Sequence, residues 1–201
     1  WLEGMHLKEF LDTNPSQEVR NLIGQRLWDF FDFQFHTLKK VHADPHPGNF
    51  LMKVDGSLGI LDFGCIKEIP EDYYLNFFSL MNPKIVTNEL ECQRIFNELE
   101  FLLPNDSESQ KAFFSDIFKK MIGLLARPFT KETFDFSDTN YLDEIYRFLE
   151  YVSKLPELKS GNAARGSKHS LYVNRTYFGI YSLLSDLKAT IKVNKSEWLN
   201  Y

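Results

Sequence analysis

Residues 42–50 read HADPHPGNF, and residues 61–64 read LDFG. The first stretch packs two histidines, two prolines, an acid, a glycine and an asparagine into a short loop. Pro45, Pro47 and Gly48 stiffen and bend that loop, so its polar groups need little further ordering to act together. Between the two stretches, Phe50-Leu51-Met52, the turn Asp55-Gly56, and Leu58, Ile60 and Leu61 read as two short strands in a hairpin. A hairpin returns the chain to its origin. Asn49 at its start and Asp62 at its end are therefore expected to face one another.

Outward from the hairpin the period changes. Upstream, Val19, Leu22, Ile23, Leu27, Phe30, Phe31 and Leu38 recur at spacings of three and four, which predicts one long amphipathic helix beginning near Ser16. Downstream, helices are expected over about 71–82, 85–103, 108–126, 141–154 and 168–192, joined by LPNDSES, RPFTKETFDFSDTN and LPELKSGNAARGS. Pro70, Glu71 and Asp72 read as a helix start, with acids complementing the helix dipole. Only about six residues then separate Gly64 from that helix, and at roughly 3.3 Å each they span at most about 20 Å.

Composition limits the function. With 201 residues, 43% of them apolar, the chain is long enough and apolar enough to bury a core. A net charge of −5 argues against a general nucleic-acid binder. Cys65 and Cys92, the two cysteines, show no pairing pattern, which fits a reducing compartment. Neither a membrane-spanning run nor a signal peptide is visible. The opening WLEGMHL has no initiator Met, and the expectation is a fragment lacking an N-terminal portion.

The chemistry lies in the spacing. Asp44 and Asn49 are five apart and Asp62 lies thirteen beyond Asn49, the H-x-D-x-x-x-x-N and D-F-G pattern of kinases. A carboxylate and an amide oxygen converging across the hairpin can ligate a hard cation such as Mg²⁺ riding on nucleotide phosphates. Asp44 sits where an acceptor hydroxyl or a water would be held. A transition-metal centre from His42, Asp44 and His46 is the competing arrangement, although alternate ligands need an extended strand and the prolines oppose one. Cys65 reads as a packing residue, and His6, His36 and His169 as ordinary surface or satisfied side chains. The basic stretch Lys159 to Arg175 reads as a solvated loop feeding a helix cap at Ser167 or Ser170, with contact to anionic lipid head groups as the alternative. Arg175 is expected to brace the structure through an acid.

VHADPHPGNFLM with GILDFG resembles the UbiB/AarF (ABC-one) family of atypical kinase-like proteins. WLEG resembles the segment joining that family's two lobes, and NRTYFGIYSLLSDLKA its closing helix. The resemblance implies a mainly α chain with a small β-hairpin, the C-terminal lobe of a protein-kinase-like (α+β) fold. Residues 1–7 would be the inter-lobe segment, 42–64 the catalytic loop, hairpin and DFG, and 71–192 a helical subdomain, with the N-lobe and its phosphate-cradling Lys and loop outside the chain. It assigns Asp44 as the catalytic-loop acid, His42 as the brace of the DFG backbone, Asn49 and Asp62 as metal ligands, and Asn49, Asp62, Phe63 and Gly64 to cofactor binding. His46 stands where protein kinases usually carry a Lys that touches the transferred phosphoryl, and an imidazole is a weaker electrostatic clamp at pH 7. Implied as well are ATP and Mg²⁺, ATPase-type or transferase activity, and support of isoprenoid quinone biosynthesis or lipid homeostasis. The expected location is cytoplasmic and peripheral to the inner membrane, with a lipid or quinone precursor as partner.

Two other functions share the loop. Small-molecule phosphotransferases of the aminoglycoside or choline kinase type also use H-x-D-x-x-x-x-N, but usually follow it with an acid outside a Phe-Gly context. A pseudokinase scaffold would bind nucleotide without turnover, and the presence of all loop and metal residues does not require it. A peptide kinase is excluded by the short segment after Gly64, which holds no A-P-E motif.

Overall fold

The computed structural model describes residues 1–159 and 165–193. The chain divides into two compact units, the first built from Trp1–Glu68, Lys131–Leu142 and the chain from Tyr172, the second from Ile69–Thr130 and Asp143–Leu171.

In the first unit, a short helix α1 (Leu7–Asp12) precedes α2 (Gln17–Phe33), whose start is set by Ser16: its hydroxyl accepts the Val19 N–H at 3.4 Å. This satisfies one of the otherwise orphaned donors of the first turn. Ile23, Leu27, Trp28 and Phe31 form the buried stripe of α2, whereas Leu22 and Leu38 of the expected apolar face are exposed. The helix then widens into a π-turn over Gln34–Leu38 and stops at Lys39, whose φ of 53° is left-handed. Facing α2 in the same unit are Tyr177 and Tyr181. The Phe35 ring stacks on Tyr177 at 4.9 Å, Trp28 stacks on Tyr181 at 6.5 Å, and Phe31 meets Phe50 edge-on at 6.2 Å. Each such ring buries enough apolar surface to contribute about 1.5–3 kcal/mol.

The expected hairpin is present. Strands β2 (Phe50–Met52) and β3 (Leu58–Ile60) pair antiparallel with Phe50 opposite Ile60 and Met52 opposite Leu58. The single hairpin is not the whole β content, however. Lys40–His42 (β1) pairs with Ile66–Glu68 (β4), and Thr133–Asp135 (β5) with Thr190–Lys192 (β6), each pair antiparallel. The stretch 168–192, expected as one helix, is corrected: α9 spans Lys168–Asp186, Lys188 turns at φ 51°, and the β-branched Thr190-Ile191 with Val193 continues extended. The free edge of β6 is covered by α2 side chains. Thr190 N–H donates to Asn21 Oδ1 (2.9 Å), Lys192 N–H to Gln25 Oε1 (2.7 Å), and Gln25 Nε2 to the Lys192 carbonyl (3.0 Å).

The second unit is helical: α3 (Glu71–Ser79), α4 (Pro83–Thr87), α5 (Glu89–Glu98), α6 (Glu108–Ala126) and α8 (Pro156–Lys159), while α7 (Thr139–Lys154) and α9 contribute residues to both units. Pro70 stands at the N-cap of α3 with Glu71 and Asp72 in its first turn, as the sequence predicts. The helix expected over 85–103 is two, because Asn88 sits at φ −82°, ψ 102° and its side chain accepts the Glu91 N–H at 3.3 Å, starting a new helix. For α6 the ends are as read, fixed by a capping box between Ser107 and Gln110. The core is aromatic: Phe77, Phe96, Phe101 and Phe114 are fully buried, and Phe101 stacks on Phe118 at 4.1 Å.

The basic stretch also needs correction where it is described; residues 160–164 of it lie outside the described residues. Arg165 is not solvated. It donates to both oxygens of Asp106 at 2.8 and 2.6 Å and lies 3.4 Å over the Phe114 ring. Ser170 is no cap, since its hydroxyl accepts from Tyr73 Oη at 3.2 Å inside the core. Ser167 precedes α9, but its hydroxyl is buried and makes no hydrogen bond. Among the described residues, no helix is long and apolar enough to cross a membrane.

Candidate active site

All the candidate residues lie in the first unit. Strand β1 delivers His42 at its last position, a 3₁₀ turn over Pro47–Asn49 follows, and β2 leaves from Phe50. The Leu61 N–H donates to the Asn49 carbonyl at 2.8 Å, extending the hairpin ladder by one step. That bond places Leu61 opposite Asn49 and Asp62 one residue beyond that register. On the other side, the Ala43 N–H donates to the Cys65 carbonyl at 2.8 Å, extending the β1–β4 pairing to the residue after Gly64. The loop and the D-F-G triplet are thus held between two short ladders.

Each side chain has a definite partner. His42 is fully buried; its Nε2 lies 2.9 Å from the Asp62 carbonyl and 3.3 Å from that of Leu61. Asn49 donates from Nδ2 to the Asp44 carbonyl (2.9 Å) and to Asp44 Oδ2 (3.1 Å), which leaves the amide oxygen as the atom suited to a cation. Asp62 adopts φ 51°, a left-handed conformation that Asp tolerates better than most residues, and its Oδ1 accepts the Gly64 N–H at 3.0 Å. Phe63 is exposed, with its ring edge-on to His42 at 5.6 Å. His46 turns back on its own loop: Nδ1 accepts the Gly48 N–H at 3.0 Å.

The His42–Asp44–His46 metal centre is not assembled. His42 Nε2 faces the Asp62 carbonyl and its Nδ1 accepts from the Asp44 N–H at 3.4 Å, while His46 Nδ1 is taken by Gly48. No group of three His, Cys, Asp or Glu side chains suited to a metal occurs among the described residues.

Three residues around the loop carried no assigned role in the sequence reading or only a loose one. Gln34 is buried and its Oε1 accepts the His42 N–H at 2.6 Å, so it supports β1 from the π-turn. Its signal was a polar residue in line with the buried stripe of α2. Gly179 of α9 lies against the loop, where a Cβ would come within 2.1 Å of Pro45 Cγ. Arg175, expected to find an acid, finds Asp44 itself: Nη2 to Oδ1 is 2.5 Å. Asp44 thereby has one oxygen on Arg175 and the other on Asn49.

A second opening in this unit is lined by Trp1, Leu2, Glu3, Gly4 and His6 with Leu51 and Leu61, a space of about 650 Å³. The N-terminal segment forms its wall, because Met5 and Met52 exchange backbone hydrogen bonds of 2.9 and 2.8 Å.

Residues 1–96 match the ABC1 atypical kinase-like domain. Among curated proteins, the chain is 38% identical over 111 residues to ACTIVITY OF BC1 COMPLEX KINASE 3, chloroplastic, of Arabidopsis thaliana; the match covers 52% of this chain and 15% of that protein. An uncharacterised aarF domain-containing protein kinase of the same plant is 38% identical over 66 residues, covering 33% of this chain and 8% of its own length. The chain therefore spans a small part of these relatives. In three dimensions it is similar to the Rv3197–erythromycin complex structure from Mycobacterium tuberculosis, with a TM-score of 0.65 at 21% identity over 96% of this chain and 46% of that one. The fold is kinase-like, and residues 1–96 are similar to the ABC1 atypical kinase-like domain.

Proposed function

We propose that the chain carries the metal- and acceptor-facing part of an ATP-using atypical kinase or ATPase. The observation that supports this most is that Asn49 bridges to Asp44 while the hairpin ladder brings the residue before Asp62 opposite Asn49. Asn49 Oδ1 and the Asp62 carboxylate are hard oxygen donors of the kind Mg²⁺ takes beside nucleotide phosphates. Mg-ATP would supply the transferable phosphoryl group and its charge neutralisation. Asp44 is the residue for holding and deprotonating an attacking hydroxyl or water. His42 acts through the backbone, fixing the Asp62 carbonyl so that the carboxylate is aimed before ligand arrives.

The acceptor is read as small, lipidic or water. Between Gly64 and α3, the chain is used up by β4 pairing with β1 and by Pro70, which leaves no platform for a peptide. A role in isoprenoid quinone biosynthesis or lipid homeostasis, at a membrane surface, is the setting this resemblance favours.

The test is nucleotide binding by the complete protein with and without Mg²⁺. Asp62→Asn is expected to weaken Mg²⁺-nucleotide binding by about tenfold or more while leaving metal-free binding nearly unchanged, with Asn49→Ala acting in the same direction less strongly. Equal losses in both conditions would make Asp62 structural and overturn the assignment.

A further inference from the structure

Between the catalytic loop and α9 lies a cleft of about 260 Å³, lined by Asp44, Pro45 and Pro47 on one side and by Arg175, Ser182 and Leu183 on the other. Its shape follows from the helix. Arg175, Gly179 and Ser182 lie four and three residues apart and so share one face of α9. Gly179, lacking a side chain, lets Pro45 pack against the helix between the two polar residues. The Arg175 side chain is more than half exposed, and its bond is to the very carboxylate that the proposed function needs as a base.

We propose that this cleft is an acceptor-side anion site, in which Arg175 takes a compact oxyanion (phosphate or carboxylate) of the acceptor and in its absence caps Asp44. This rests on the reading of Asp44 given above. The geometry supports it in two ways. With Oδ1 on Arg175 and Oδ2 on Asn49, Asp44 has one cation-held oxygen, and a hydroxyl approaching Oδ1 must share it with the guanidinium. A guanidinium fork also fits phosphate or carboxylate with two parallel hydrogen bonds, so an incoming oxyanion competes directly with Asp44 for the same donors. Ser182 on the same face offers a hydroxyl to the bound group, and Leu183 with the two prolines accommodates a short aliphatic portion. An acceptor bearing such a group would thereby uncover Asp44 on arrival, and water alone would not.

The experiment is calorimetric titration of inorganic phosphate, and in a parallel arm acetate, into the complete protein free of Mg²⁺ and nucleotide. Phosphate or acetate is expected to bind, and the tighter of the two identifies the oxyanion. Arg175→Gln should weaken that binding about tenfold or more, with Arg175→Lys in between because it keeps charge but not the fork. Asp44→Asn should tighten it several-fold by removing the competitor, and Asp62→Asn should leave it unchanged. If Arg175→Gln fails to fold by circular dichroism, Ser182→Leu, which fills the cleft and keeps the ion pair, should abolish binding instead. No binding of either anion, binding insensitive to Arg175 and Ser182, weaker or unchanged binding in Asp44→Asn, or loss in Asp62→Asn would each overturn the inference. Failure of Mg²⁺-nucleotide binding alongside intact Arg175-dependent phosphate binding would sink the nucleotide reading and leave the anion site standing.

Discussion

Two glycines inside helices have opposite surroundings, and that difference makes a prediction at the scale of single residues. A Cβ at Gly179 would stand 2.1 Å from Pro45 Cγ and 2.8 Å from Pro45 Cβ, and a proline ring has no rotamer to move away. A Cβ at Gly123 in α6 would meet nothing within 4 Å. Gly179→Ala is therefore expected to push the 44–48 loop and destabilise by about 1–3 kcal/mol, the usual cost of overpacking. Gly123→Ala should instead stabilise by about 0.5–1 kcal/mol, because Ala loses less backbone freedom in a helix. Chemical denaturation of both variants checks this; a neutral Gly179→Ala would mean that Pro45 does not hold the loop against α9.

At the scale of elements, legibility in the sequence followed locality. The hairpin was legible because Asp55-Gly56 sits between alternating apolar residues. Helix α6 was legible because Ser107 and Gln110 mark its start. What escaped was set by distant partners. Strand β1 is three residues long and β4 pairs with it across the whole loop and hairpin, so no local period announces either. Strand β6 looks like the tail of a helix until α2 supplies Asn21 and Gln25 to bond it. In the site, the residue types and spacing marked Asp44, Asn49 and Asp62, but nothing near Asp44 in sequence pointed to Arg175, 131 residues away. Arg165 is the same case in the second unit. A loop arginine among lysines reads as solvated, yet it and Asp106 retain only 9% and 4% side-chain exposure, and the guanidinium holds the Asp106 carboxyl below its usual range. Arg165→Ala should cost about 3–5 kcal/mol by stranding a buried carboxylate, whereas replacing both residues should cost less than the sum of the single changes. Additive losses in the double-mutant cycle would show that the pair is not coupled.

For the molecule as a whole, acid is the condition in which buried titratable groups are most exposed to test. His36, in the π-turn after α2, is held at about 4 by burial and secondarily by the Lys39 charge; the Asp32 carboxylate at 3.7 Å does not offset them. In the unfolded chain it titrates near 6.5. Between these values the unfolded state binds a proton that the folded state refuses, so stability rises with pH across this window and falls as pH drops from about 6.5 to about 4. The full effect is about 3 kcal/mol at 1.36 kcal/mol per unit. Asp186 works in the opposite sense, because burial raises its pKa and its stabilising contribution is lost as pH rises. Asp106, whose pKa is lowered by Arg165, adds a loss only once pH falls below about 3.8. The absolute curve therefore mixes several groups, and the difference between wild type and His36→Gln isolates one. Urea unfolding at pH 8, 7, 6, 5 and 4 should show wild type losing stability relative to the variant as pH falls through the window and the two curves running parallel between pH 7 and 8. Parallel curves throughout would mean that His36 takes up its proton in the folded protein at an ordinary pH, so that the Asp32 carboxylate, and not burial, governs the ring.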